Sequence, residues 1–120
     1  MEGPANRRAA VFSRLLDVWR GGDATGIADL ITTGYRGHML HLAEGERTAA
    51  SYARWIEDYR ATNPDVTFDL VDQVSADSRL WNRLVAHGPD SRHAHGMNVS
   101  RFEGDLVAEE WAIWSDWRDD

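Results

Sequence analysis

Few residues of this chain could carry chemistry, because two of the usual reactive types are missing. There is no cysteine among the 120 residues, which removes thiolate nucleophiles, disulfides, Cys-ligated zinc and iron–sulfur clusters together. There is no lysine either: all 13 basic residues are Arg, so Schiff-base chemistry, including covalent pyridoxal, is closed. What remains is proton transfer and hydrogen bonding by His, Asp, Glu, Tyr, Arg and the amides; the candidates are His38, Arg83, Asn98 and Glu110, whose placement at a site rests on a family resemblance. A neutral imidazole can both accept and donate a proton. An Asn amide can donate to a developing oxyanion without titrating. A carboxylate in an apolar cavity gains general acid–base character, and a guanidinium can clamp a carboxylate or enolate bidentately. Each has a plainer counterpart: a backbone-bound ring for His38, an internal bond in a bulged strand for Asn98, a solvated acidic pair at Glu109-Glu110, a buried Arg83–Glu110 ion pair. His93-Ala94-His95 sets two imidazoles on one strand face, as in some zinc sites. The obvious third ligand, His87, falls on the opposite face in the expected register, so no metal site is expected.

The elements that must position these residues are helices first and strands afterwards. Val11, Phe12, Leu15, Leu16, Val18 and Trp19 form one apolar helical face, closed by Gly21-Gly22. Asp23 is a plausible N-cap for a short second helix carrying Ile27, Leu30 and Ile31 and ending at Gly34, before a strand from Tyr35 to Leu40. His41 falls in the loop after it, either closing a cavity mouth or solvated. A third helix carries Tyr52, Trp55, Ile56 and Tyr59 and stops at Asn63-Pro64-Asp65, where the residue before proline leaves the helical region. The period then drops to two: Val66 to Val74, Arg79 to His87, Arg92 to Phe102 and Leu106 to Trp114 read as strands. The turns are Gly88-Pro89-Asp90 and Gly104-Asp105. This order predicts an α+β fold, with three N-terminal helices packed on a curved, mostly antiparallel sheet. The six tryptophans suit a cavity between helices and sheet.

Length predicts one domain over residues 1–120, with an ordered core of about 6–116. A formal charge of −7 argues against nucleic acid as a partner. No apolar run approaches the roughly 18 residues of a membrane span, and MEGPANRRAA lacks the apolar core of a secretory signal. The expected location is cytoplasmic, without membrane contact.

Several short segments, taken in order, resemble one family. Val18-Trp19-Arg20-Gly21-Gly22-Asp23 at the end of the first helix is similar to the nuclear transport factor 2-like superfamily, whose SnoaL-like polyketide cyclase branch commonly shows Trp followed by Gly-Asp. His38 stands where that branch often has His, and Asn63-Pro64-Asp65 resembles its aromatic-Pro-Asp helix end. Gly96 to Glu103 resembles the Gly-Ile-Asp-x-Phe-Arg segment, and Glu109-Glu110-Trp111 the Glu-His-Trp segment. The resemblance spans about residues 10 to 116 and implies a cone-shaped barrel with a deep interior pocket. Superfamily membership does not fix an activity. Relative to ketosteroid isomerase, its three key positions hold Leu15, Met39 and Asn98, so steroid isomerisation is not implied. Relative to the SnoaL-like pattern, two aspartates are replaced by Asn98 and Ala112.

The resemblance places Asn98, Glu110, Ala112 and Trp114 inside the cone, and strand alternation across the hairpin adds Trp81 and Arg83. The expected catalytic set is His38, Asn98 and Glu110; the expected binding set is Arg83, Trp81, Tyr52, Trp55, Ala112 and Trp114. The function implied is a small-molecule pocket protein, with cofactor-independent proton transfer of the cyclase, isomerase or hydratase type on an apolar oxygenated substrate. The alternative is a non-catalytic ligand-binding or accessory domain. Met97, Val99, Trp111 and Ile113 face outward in this scheme and predict a homodimer through the outer sheet face.

Overall fold

The computed structural model describes residues 3–21 and 23–119. Gly22, expected to end the first helix with Gly21, lies outside the described residues. Helix α1 runs Pro4–Gly21 and buries Val11, Phe12, Leu15 and Leu16, spaced so that they share one side. Helix α2 spans Ala49–Thr62. It is started by a reciprocal cap, in which the Thr48 side chain accepts from the Ser51 N–H while the Ser51 hydroxyl accepts from Thr48. Asn63 ends it with a backbone bond to the Tyr59 carbonyl, one residue before Pro64.

The expected second helix is a single 3₁₀ turn, Ile27–Asp29. Strand β1 begins at Ile31, well before the expected Tyr35, and runs to Met39 with Gly34 inside it. Ile31-Thr32-Thr33 is a β-branched run that favours an extended chain, and the Val107 N–H bonds the Leu30 carbonyl just before the strand. Among the described residues the fold therefore has two α-helices, not three.

The remaining strands are β2 (Glu46–Thr48), β3 (Thr67–Ala76), β4 (Arg79–His87), β5 (His93–Glu103) and β6 (Leu106–Trp114). They form one six-stranded sheet in the order β2-β1-β6-β5-β4-β3, antiparallel except where β1 runs parallel to β6. Both helices bury their apolar sides against the same sheet face, where Tyr35, Met39, Leu80, Leu84, Ala94, Phe102 and Val107 complete the core.

Registry decides which polar residues meet that core. In the β4–β5 hairpin His87 pairs with His93, leaving 88–92 as the loop, and Asn98 pairs with Asn82. Partners directly opposite share a face, so Leu80, Asn82, Leu84 and Ala86 are inward and buried. Trp81 and Arg83 point the other way and are exposed, which overturns their expected interior placement. A shift of one residue at the turn inverts every side chain of the strand. Asp90 and Ser91 adopt left-handed backbone there, and the loop runs 88–92, longer than the Gly88-Pro89-Asp90 turn expected. The same pairing puts His87 on the face of His93 rather than opposite it.

Candidate functional site

Between the helices and the inner sheet face lies a cavity of about 330 Å³, walled mainly by aromatic and aliphatic side chains. Trp19, from the last turn of α1, stands at the centre of the aromatic ones. Its ring makes edge contacts with Trp55 at 5.1 Å, Tyr59 at 5.8 Å and Phe68 at 6.0 Å. Its indole N–H donates to the Tyr52 hydroxyl at 2.9 Å, which satisfies the polar edge of a ring otherwise used for packing. Trp114 forms the wall at the end of β6, its indole crossing the backbone of Gly96 on the neighbouring strand. A Cβ at position 96 would lie 2.5 Å from that indole, so glycine is what lets the ring lie flat there.

The polar end of the cavity is built around Glu110, only 2% exposed. Oε1 accepts from the Tyr35 hydroxyl at 2.8 Å, and Oε2 accepts from the Ser100 hydroxyl at 2.7 Å and the Asn98 amide at 3.0 Å. Tyr35 reaches Glu110 by crossing Gly37, where a Cβ would stand 2.7 Å from its phenolic oxygen. Behind Asn98 the amides continue across the sheet. Asn82 donates to the Asn98 carbonyl oxygen at 3.0 Å, and Gln73 on β3 donates to Asn82 at 2.8 Å. Burial, and after it the Glu110 carboxylate charge, push the Tyr35 and Tyr52 phenols well above the usual tyrosine range. Both therefore remain protonated, and Asn98 keeps a second amide N–H beyond the one given to Glu110.

Asn98, Glu110, Tyr52, Trp55, Ala112 and Trp114 line this cavity. His38, Trp81 and Arg83 do not. On β1 the inward residues are Tyr35, Gly37 and Met39, so His38 lies on the outer face and Met39 faces the cavity in its place. There His38 Nε2 lies 2.7 Å from Glu109 and its ring stacks on Trp111, with centroids 5.6 Å apart. The His38 hydrogen bond, aided by Arg101, lowers the Glu109 carboxyl against the opposing effect of burial. Arg83 does not meet Glu110, so neither the clamp nor the buried ion pair forms.

His93 and His95 stand edge to face with rings 5.1 Å apart, while His87 bonds Asp69 at 2.9 Å. Among the described residues no group of three His, Asp or Glu is placed to hold a metal ion. Sequence reasoning missed Asn82 and Tyr35 behind Glu110, and Asp116 at the cavity rim with His41. Leu80, Leu84 and Ala86 alternate with Trp81, Arg83 and Val85, and that apolar set was the signal for which β4 face is inner.

The fold and the cavity together define a class: a helix-covered, mixed-sheet domain enclosing a small-molecule-sized space. The profile of the SnoaL-like domain family matches residues 12–110, and the chain belongs to that family. No curated protein matches the sequence significantly. Solved structures share the fold at low identity. IdmH from Streptomyces antibioticus, a proposed polyketide cyclase, is 20% identical with a TM-score of 0.79, over 90% of this chain and 91% of that one. A nuclear transport factor 2-like protein of unknown function from Mesorhizobium loti is 18% identical with a TM-score of 0.78, over 97% of each. A proposed ketosteroid isomerase from Kribbella flavida is 15% identical with a TM-score of 0.80, over 93% of this chain and 80% of that one.

Proposed function

We propose that the protein binds a small, ring-bearing, largely apolar molecule in the cavity and handles a proton next to a carbonyl of that molecule, without a cofactor. The observation that carries this is the Glu110–Asn98 pair at the polar end of an aromatic-walled cavity. The spare Asn98 N–H supplies a neutral donor for an oxyanion, and Glu110 is the carboxylate within the same cavity to accept or return the proton. Ring closure, isomerisation and hydration all use that pair of roles. His38 and Arg83 have no part in it.

Binding without turnover is the second reading, favoured by the three donors already on the two Glu110 oxygens. One experiment separates the two. Cyclic ketones that quench the tryptophan fluorescence are incubated with the protein in D₂O, and exchange next to the carbonyl is followed by NMR. Exchange that Asn98→Leu and Glu110→Gln abolish supports the enzyme; quenching with no exchange above buffer supports the binding domain.

The outer sheet face fits a second copy of this chain. Met97 is 57% exposed, Ile113 49% and Trp81 47%, with Val99 and Trp111 half-buried among them. A contiguous apolar surface of this kind is unusual on a lone monomer.

A further inference from the structure

The charges around the cavity are one-sided. Among its lining residues are two carboxylates, Glu110 and Asp116, and no arginine; His41 is the one basic side chain, in an exposed loop. All 13 basic residues of the chain are arginines, so the absence of a strong cation from this wall is a matter of placement, not supply. Two guanidiniums contact lining residues without lining the cavity themselves: Arg20 donates to the Phe68 carbonyl, and Arg47 lies 4.9 Å over the Trp55 ring. The Arg47 donors go to the Glu44 and Glu46 carbonyls.

Glu110 is the sharper observation. It is almost wholly buried, yet among the described residues its partners are a phenol, a hydroxyl and an amide, all neutral. Taking a carboxylate out of water is costly unless a counter-charge restores it, and dipoles restore only part. Aromatic rings line the cavity with it, and an aromatic face attracts a cation more strongly once water is excluded. Anionic ligands would meet two carboxylates with no guanidinium to receive them.

We propose that the ligand of this cavity is a cation: a free small molecule carrying a tertiary or quaternary ammonium on a ring system. The inference rests on the small-molecule reading above and specifies its substrate class. A primary ammonium fits less well, because its three N–H groups need acceptors and the wall is mostly apolar. A quaternary ammonium has no N–H and a tertiary one has a single N–H, which one carboxylate can accept; aromatic faces with a nearby carboxylate are the partners both prefer. Trp19, Tyr52, Tyr59 and Trp114 would supply the faces and Glu110 the counter-charge.

Three probes of similar shape test this: phenyltrimethylammonium, its neutral isostere tert-butylbenzene, and benzenesulfonate. Each is titrated against the full chain by tryptophan fluorescence and by calorimetry. The expected result is that the cation binds at least about tenfold more tightly than the neutral isostere, with the sulfonate weakest. Glu110→Gln should close most of that gap. Should that variant unfold, Asp116→Asn at the exposed rim should lower cation affinity about threefold and leave the neutral probe unchanged. Equal or tighter binding of tert-butylbenzene overturns the cation proposal and leaves the small-molecule pocket standing. Tightest binding of the sulfonate overturns it as well. No binding of any probe to the unmodified chain overturns the pocket reading itself, and this proposal with it.

Discussion

Replacing Tyr35 by Phe isolates what holds Glu110 in place. The ring is 1% exposed and Phe keeps its volume, so the change removes one hydroxyl and little else. Oε1 of Glu110 loses the Tyr35 donor while Oε2 keeps Asn98 and Ser100. A hydrogen bond to a charged group is worth about 1.5–3 kcal/mol, and burial leaves no bulk water to replace it. For a domain of this size that lowers the midpoint of thermal unfolding by roughly 5–15 °C. Urea denaturation at neutral pH measures the free energy, and far-UV circular dichroism should be unchanged. A double-mutant cycle with Glu110→Gln should return a coupling of about 1.5–3 kcal/mol between the two positions. A loss below about 0.5 kcal/mol with additive effects would refute the account of Glu110 as a donor-held carboxylate.

Three further outcomes follow from the same structure. All three tyrosines are raised, Tyr35 and Tyr52 most, chiefly by burial. Above about pH 10 the unfolded chain loses phenolic protons that the folded one keeps, so their stabilisation is full below that pH and falls above it. With no lysine or cysteine to titrate there, the share of absorbance at 295 nm that belongs to the buried Tyr35 and Tyr52 should rise only with cooperative unfolding. Tyr59 is half-buried and less raised, so a gradual rise of the full three-tyrosine amplitude centred near 10 in folded protein is what would count against it. Gly96→Ala puts a methyl 2.5 Å from the Trp114 indole, and should displace that ring and weaken aromatic ligands by about tenfold; unchanged affinity and unchanged fluorescence would contradict the wall assignment. Ile113→Glu in the outer apolar face should shift the chain from dimer to monomer in sedimentation equilibrium, and a monomer before the change would remove the second copy.

The strands from β3 onward were legible because their residues alternate and the last two turns carry Gly88 and Gly104. The parity of β4 was not read correctly, because it was counted back across the 88–92 loop, where left-handed backbone at Asp90 and Ser91 has no strong sequence mark, and not from the strand's own apolar set. The same one-residue matter separates His38 from Met39: a chemically attractive imidazole drew the assignment, while Tyr35 and Met39 marked the inner face by their bulk. Glu110 and Asn98 were identifiable through the family segments, yet the ring of donors around them was not, since Tyr35, Ser100 and Asn82 come from three different strands. Tertiary override also accounts for the missing helix: Leu30 and Ile31 fit a helical spacing, but pairing beside Val107 draws Ile31 into the sheet.

Glu110 also fixes the orientation of groups it never touches. As a carboxylate it can only accept, so Asn98 must present its nitrogen to it and its oxygen to Asn82. Asn82 must then offer its own oxygen to Gln73. The three amides are thereby aligned head to tail, and none can rotate by half a turn without setting donor against donor or acceptor against acceptor. Anything that alters the electron density of Glu110, a bound ligand included, changes the polarisation of the whole row. Gln73 sits on the far edge strand, and its side-chain NH₂ resonance thus serves as a remote reporter of the cavity, readable by ¹⁵N NMR without a label in the site.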